Sequence, residues 1–440
     1  MPHLPPSGSF RVGLVYLYTG LTELLPLNAV YALLIASHGV STSELSVLFA
    51  LWTVTTLLCE IPSGAVADRF PRHLVLAAAA LAQGTGFILW TALPSLGSFA
   101  AGFVLWGLAT ALTSGTLQSL LYDGLADDGR SEQYAQVSSR LAAVQACSIA
   151  VGSLVASPVV LWGGYSAAGW VSVLLTLLAV PTALGMGRGR RRAPATDDTG
   201  TGTDGLAAQG WLSLLRAGLA EARHTPQVRS SLLLVSVLAG IGVVDEYLPV
   251  LALEGGAPPA TIPLLLLLPW AAMAVGGLMG WRLAKAGNGV LAGLLLAGGS
   301  ALALGALSHH PGGFLGIAAF YWILRMLQVV MGARLQHAIT GPARATVSSV
   351  AGLGAQTVSL MIFLGSALGA RWASASVLVA ATAVPVFLTA MLLLLPRYGR
   401  PPHVAPSATE SPDGVPPVSG PALQADPREN RSAPVKESDA

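Results

Sequence analysis

The sequence predicts an all-α integral membrane protein with twelve transmembrane helices arranged as two pseudo-symmetric six-helix bundles. Three observations carry that prediction. Only 10% of the 440 residues are Asp, Glu, Lys or Arg, against about 25% in an ordinary soluble domain, so the chain cannot clothe a water-facing surface. Apolar residues reach 53% and run in uncharged stretches of the roughly 20 residues that a helix needs to cross a bilayer core. Basic residues collect in every second loop, as retention of Lys and Arg on the cytoplasmic side requires.

Six spans are expected over 12–34, 45–66, 74–93, 99–121, 138–161 and 165–186, and six more over 230–253, 261–281, 289–307, 313–331, 347–369 and 373–394. With both termini cytoplasmic, Arg69, Arg72, Arg130, Arg140, Arg188, Arg282, Lys285, Arg334, Arg344, Arg397 and Arg400 fall on one side, while the other side keeps only Arg371. Losing one span would scramble that bias downstream. Arg11 precedes the first apolar run, yet the run exceeds a signal-peptide core and contains Glu23 and Pro26, so it reads as a retained helix. The preference for Arg over Lys, with abundant Ala, Gly and Leu, suggests a GC-rich bacterial genome and hence the cytoplasmic membrane.

Composition divides the chain into a first bundle over 1–187, a linker over 188–229, a second bundle over 230–396 and a Pro- and Ser-rich tail over 397–440. The tail has hardly any apolar runs and is expected to be disordered. In the linker, Trp211, Leu214, Leu215 and Leu219 share a helical face, which suits an amphipathic helix lying at the membrane surface or packed on the bundles. The halves share faint self-similarity: "VSS" at Val137 and Val347, and "GSLVAS" from Gly152 against "GSALGA" from Gly365. Paired repeats place a binding site between them near the membrane midplane.

A charged side chain at a helix centre costs about 2.5–3.5 kcal/mol on insertion scales, so each one needs a partner, water or a function. Glu23 sits in the first span with Tyr16, Thr19 and Gly20 on its face and Pro26 just beyond; Asp245 and Glu246 lie in the seventh; Arg325 lies in the tenth beside Trp322 and Gln328. Burial disfavours an ionised carboxylate, which makes Glu23, Asp245 and Glu246 candidates for carrying protons. Arg325 would either neutralise one of these acids or bind an anionic group of a ligand.

The most specific local signal is "GAVADRFPRH" from Gly64 to His73, between the second and third spans. Gly64 suits close helix approach, and Asp68, Arg69 and Arg72 suit a charge network at the inner face. This segment resembles the inner-loop motif of major facilitator superfamily transporters. A second stretch, "SGTLQSLLYDGL" from Ser114 to Leu125, with "EIPSG" from Glu60 to Gly64, is similar to a drug-exporter-like branch of that superfamily. There Asp123 takes the place of the acid that pairs with the loop network, while Gln118 stands where many relatives are acidic. The fifth span offers "AVGSLVASP" from Ala150 to Pro158 without the tight Gly-Pro pairing of antiporters.

The resemblance implies a monomeric secondary transporter working by alternating access, with a cavity lined by the first, fourth, seventh and tenth spans. Tyr16, Thr19, Gln118, Tyr122, Trp322 and Arg325 are its candidate lining. Few charges in such a cavity suit a small amphipathic or drug-like substrate, exported in exchange for protons. Uptake of a small anionic metabolite is the alternative, and a non-transporting sensor or membrane enzyme is the alternative of another class.

Other signals carry less. "GTGTDG" from Gly200 to Gly205 has dinucleotide-loop spacing but no preceding strand, and no phosphate-binding Gly-Lys-Ser/Thr occurs. His309 and His310 are adjacent in a short loop, and Cys59 and Cys147 have no ligand-spaced neighbours and are expected to be buried small side chains. No cofactor, metal, nucleic-acid partner or enzymatic constellation is expected.

Overall fold

The computed structural model describes residues 10–188, 226–338 and 344–395. They form helices joined by short turns, with no strand among them. The first crossing is interrupted. Helix α1 (Val12–Glu23) ends where Pro26 removes a backbone donor, a 3-10 turn covers Pro26–Ala29, and α2 (Tyr31–Ser37) completes the passage. The break frees backbone groups that hydrocarbon cannot satisfy, and Ser172 Oγ accepts the Leu27 N–H at 3.0 Å.

Helix α3 (Thr42–Arg69) starts on a capping box in which the side chains of Ser41 and Glu44 each take the other's backbone N–H. It is followed by α4 (Arg72–Ala92) and by α5 (Leu96–Asp127), which Ser95 caps through the Ser98 N–H. Helix α6 (Tyr134–Gly185) has 52 residues, which as one straight helix would reach about 78 Å, far beyond a core of about 30 Å. It is two crossings. Gly164, with φ 66° and ψ −168°, breaks it in a conformation open essentially to glycine alone.

The second set begins with α7 (Pro226–Gly240), a 3-10 segment over Ile241–Tyr247 and α8 (Leu248–Glu254). Then come α9 (Ile262–Met279), α10 (Asn288–Leu307), α11 (Phe314–Ala338) and α12 (Arg344–Gly369). The last crossing is α13 (Ala375–Ala381) with α14 (Ala383–Leu394). Glu254 fixes where it starts, because its two carboxylate oxygens accept the Ala375 and Ser376 N–H groups, each at 3.0 Å. Among the described residues, eleven stretches are long and apolar enough to cross a membrane, and dividing the longest at Gly164 makes twelve.

Several helices outrun their apolar stretches. Helix α5 continues to Asp127 and α11 to Ala338, beyond the expected ends near 121 and 331. Hydropathy reports the thickness of hydrocarbon, whereas the hydrogen-bond ladder carries on into the polar interface. The expected linker (188–229) falls almost wholly outside the described residues, and the tail (397–440) entirely so.

The chain direction defines two faces. A basic face holds the turn between α3 and α4, and the opposite face holds Gly39, Gly164 and Arg371. The packing differs between them. One apolar core runs through both sets of six, from Leu25, Phe49 and Phe103 to Leu238, Tyr247 and Phe363. The smaller buried clusters toward the basic face each stay within one set. Val15, Tyr18, Leu76 and Ala183 form one and Leu121, Leu125 and Val137 another, both within the first six crossings, while Val228, Leu335, Val347 and Ala351 belong to the last six.

Candidate functional site

Five side-chain hydrogen bonds among the described residues join the first six crossings to the last six, and all lie toward the opposite face. Ser43 Oγ donates to the Ala367 carbonyl at 2.6 Å, and Tyr247 Oη donates to Ser46 Oγ at 2.9 Å. Ser153 and Ser157 donate to the carbonyls of Pro263 and Ala260 at 2.8 and 2.6 Å. The fifth runs from the Tyr31 hydroxyl to the Glu246 carboxylate. Phe49 fills the space between, its ring centroid 5.6 Å from Tyr247 and 5.3 Å from Phe363. Tyr31 is itself wedged among Trp90, Phe103 and Trp106. The two halves are thus bonded to each other at this face, and no described side-chain hydrogen bond joins them at the basic one.

Glu23 is the last residue of α1, and its Oε1 accepts the Gln145 amide from α6 at 2.8 Å. Thr19, one turn back on the same face, is buried and its hydroxyl has no partner. Tyr16 reaches the Val137 carbonyl at 3.5 Å. Gln118 and Tyr122 are exposed on α5, with the Tyr122 ring 5.4 Å from that of Tyr134.

On the other wall, Arg325 is exposed although it lies eleven residues into α11. Its Nη1 donates to Gln328 Oε1 at 3.2 Å, and Gln328 Nε2 donates to the Leu238 carbonyl at 2.9 Å. Trp322 is half-buried one turn back, with an indole N–H that has no partner. A guanidinium at that depth is costly in hydrocarbon, and the Arg325 side chain runs past Gly276 and Gly277 of α9. The expectation that Arg325 neutralises Glu23 or the Asp245–Glu246 pair is not met: its described partner is a neutral amide. Glu246 answers Tyr31 instead, and Asp245 lies on the same 3-10 segment, where the Tyr321 hydroxyl donates to the Gly242 carbonyl at 3.2 Å.

At the basic face, the one ion pair among the described residues joins Arg72 to Asp123, and Arg72 also donates to the Ser119 carbonyl at 3.1 Å. Both partners belong to the first half, so the pair ties α4 to α5 and does not bridge the halves. Asp68 and Arg69 lie exposed at the end of α3, outside that pair. Gly64 is expected to sit at a close helix approach, yet nothing lies within 4 Å of where its Cβ would be, so no helix packs closely against it. Cys147 is exposed and Cys59 half-buried, so the expectation of two buried cysteines fails for Cys147. His310 caps its own turn, accepting the Gly312 N–H at 2.9 Å.

Nothing in the sequence marks Gln145, Tyr31, Tyr247 or Ser46, which are ordinary polar and aromatic residues in apolar helices.

A polytopic helical bundle with ionisable residues within its crossings has the build of a membrane transporter rather than an enzyme. The family model of the Major Facilitator Superfamily matches residues 12–370, and the chain belongs to that superfamily. No curated protein matches its sequence. Similar solved structures include the nucleoside transporter NupG, at a TM-score of 0.65 and 11% identity over 87% of this chain and 100% of that one. An auto-inhibited POT family peptide transporter gives 0.64 and 14% over 87% and 95%. A bacterial homologue of the human lysosomal transporter Spinster, inward-facing and unoccupied, gives 0.59 and 14% over 89% and 97%. At these identities the likeness concerns the fold.

Proposed function

We propose that the protein is a secondary active transporter of the cytoplasmic membrane that exports small amphipathic, drug-like compounds in exchange for protons by alternating access. Its basic face and both termini are cytoplasmic, its two bundles span 1–187 and 230–396, and it works as a monomer. The observation that carries the reading is the asymmetry of the packing: one shared core and five cross-half hydrogen bonds at the opposite face, and separate cores at the basic face. That is the arrangement of a carrier loaded from the cytoplasm.

Glu23, Asp245 and Glu246 are the proton-coupling groups of this reading, and they differ in position. Glu246 accepts its hydrogen bond across the closed face, so opening toward the outside must break that bond. Glu23 stands on the cavity side, held by Gln145. Tyr16, Thr19, Gln118, Tyr122, Trp322 and Arg325 line the path, and the Arg72–Asp123 pair with Gly64, Asp68 and Arg69 shapes the cytoplasmic end. The test is growth of an efflux-deficient bacterial host on a panel of toxic compounds, comparing the intact chain with Glu23→Gln at matched expression. Resistance that the variant loses supports export coupled through Glu23; no change in susceptibility to any compound removes the export reading.

One observation favours a second reading, the uptake of an anionic metabolite: Arg325 faces the cavity with only a neutral amide as its described partner. Counter-transport of labelled carboxylates and phosphates in proteoliposomes separates the two, since an exporter of amphipathic compounds accelerates none of them.

A further inference from the structure

We infer that the transported molecule is zwitterionic, an amphipathic compound whose cationic group is received by Glu23 on one wall of the cavity and whose anionic group is received by Arg325 on the other. This rests on the transport reading above and narrows it to a substrate class.

The argument starts from how each charge is held. Ionisable residues within membrane spans pair with one another or face water. Here a carboxylate and a guanidinium occupy opposite halves, and each is bound by a glutamine: Gln145 donates to Glu23, and Gln328 accepts from Arg325. The amide nitrogen of Gln328 is committed to the Leu238 carbonyl, which fixes its oxygen toward the arginine. A neutral amide orients a charge without cancelling it. The pair therefore leaves two opposite charges, each aimed and neither neutralised.

Depth and neighbours point the same way. Glu23 is eleven residues beyond Val12, which lies toward the basic face, and Arg325 is eleven residues beyond Phe314, toward the opposite face. At about 1.5 Å per residue both sit about 17 Å along their helices, near the middle of a core about 30 Å thick. Each is flanked on its own helix face by a hydrogen-bonding group left without a partner. The Thr19 hydroxyl lies four residues before Glu23, and the Trp322 indole N–H three before Arg325. Buried polar groups are normally satisfied, so each charge stands beside an incomplete polar site. A compound with one charge would answer one wall and leave the other charge unpaired. A zwitterion answers both and, by bridging them, draws the halves together at the basic face.

The test uses the full chain in lipid nanodiscs and three fluorescent probes differing only in charge: norfloxacin, which carries a carboxylate and a basic piperazine, its N-acetyl derivative and its ethyl ester. Binding is read by fluorescence anisotropy, and transport in proteoliposomes under a pH gradient. The expected result is norfloxacin bound about tenfold or more tightly than either singly charged relative, as a charge-assisted contact implies. Glu23→Gln should reduce norfloxacin to the level of the N-acetyl form, and Arg325→Gln to that of the ester. Arg325→Lys should keep the preference, which shows that loss in the glutamine variant is not misfolding.

Equal binding of the three probes by the intact protein, or a preference that neither glutamine variant alters, overturns the inference. Ethidium, a hydrophobic monocation, separates this from failure of the transport reading. If ethidium is moved and norfloxacin is not preferred, export stands and the zwitterion falls; if none of the four compounds is moved, both fall.

Discussion

Removing the Tyr31 hydroxyl should loosen the closed face without unfolding the protein. Tyr31→Phe keeps the ring, and the ring does the packing, stacked 5.8 Å from Trp90 and edge-on to Phe103 and Trp106. What it deletes is the one described cross-half hydrogen bond that ends on a carboxyl group. Hydrogen bonds to charged groups contribute about 1.5–3 kcal/mol, while interhelical bonds measured in a membrane protein average about 0.6 kcal/mol. The lower figure shifts the equilibrium about threefold and 1.5 kcal/mol shifts it about tenfold, since about 1.4 kcal/mol is one decade. Because Glu246 meets water once the face opens, its lost partner penalises the closed form alone. The assay places a cysteine at Ala367, which is buried and whose carbonyl receives Ser43, in a background with Cys59 and Cys147 changed to serine. The labelling rate with a membrane-impermeant thiol reagent then reports opening. An increase of about three- to tenfold in Tyr31→Phe is expected. A rate within error of the parent, in protein of unchanged thermal stability, would show that this bond does not hold the face shut.

Gly164→Ala should lower thermal stability, because a side chain at φ 66°, ψ −168° enters a region whose occupation costs about 1–3 kcal/mol; the melting temperature in detergent measures it, and an unchanged value would mean that the turn relaxes freely. Arg72→Gln and Asp123→Asn should each change stability by about 1 kcal/mol or less, because both side chains are partly exposed, 27% and 44%. If the pair acts as a unit, the double substitution should slow transport no more than either single one, and additive losses in the double variant would show that the two residues act separately.

The fold was largely legible because its signals are bulk ones. Long apolar stretches and alternating basic loops need no tertiary contact to be read, and the hydrocarbon core imposes a length on each span that sequence reports directly. Pro26 marked the break in the first crossing, and the gap between the spans expected over 138–161 and 165–186 left room for the turn that the structure makes at Gly164. The site was legible only where charge made a residue conspicuous. Glu23, Asp245, Glu246 and Arg325 stand out against an apolar background, and Arg72 and Asp123 stand out in polar segments. Their partners do not. Gln145 and Gln328 hydrogen-bond Glu23 and Arg325, and the serines at 43, 46, 153 and 157 join the halves, yet a serine or glutamine in a membrane helix looks the same whether it answers its own backbone or a neighbouring helix. Thr53, for instance, bonds to the Phe49 carbonyl one turn back, while Ser153 bonds across to Pro263. Only the packing of one helix on another tells them apart.

The two faces are built from different chemistry, and the difference bears on how exchange could be enforced. Closure at the opposite face rests on hydroxyl-to-carbonyl and hydroxyl-to-hydroxyl bonds and aromatic packing, which are indifferent to charge, with the Tyr31–Glu246 contact as the exception. At the basic face the ion pair lies within one half, so it stiffens the rim and contributes no bond that must break when the halves meet. Movement of the two halves against each other is therefore left to the groups between them. If a proton and the cationic end of a zwitterion both occupy the Glu23 carboxylate, they cannot do so together, and exchange follows from that competition without a second ion site. The carboxylate would then be neutralised in either loaded form, and Arg325 would be answered only when substrate is present. In Arg325→Gln that difference disappears: proton-driven export should lose its dependence on the substrate's anionic group while keeping its dependence on Glu23. Transport of the norfloxacin ester should accordingly survive in Arg325→Gln and fail in Glu23→Gln, and the reverse pattern would place coupling on the arginine wall.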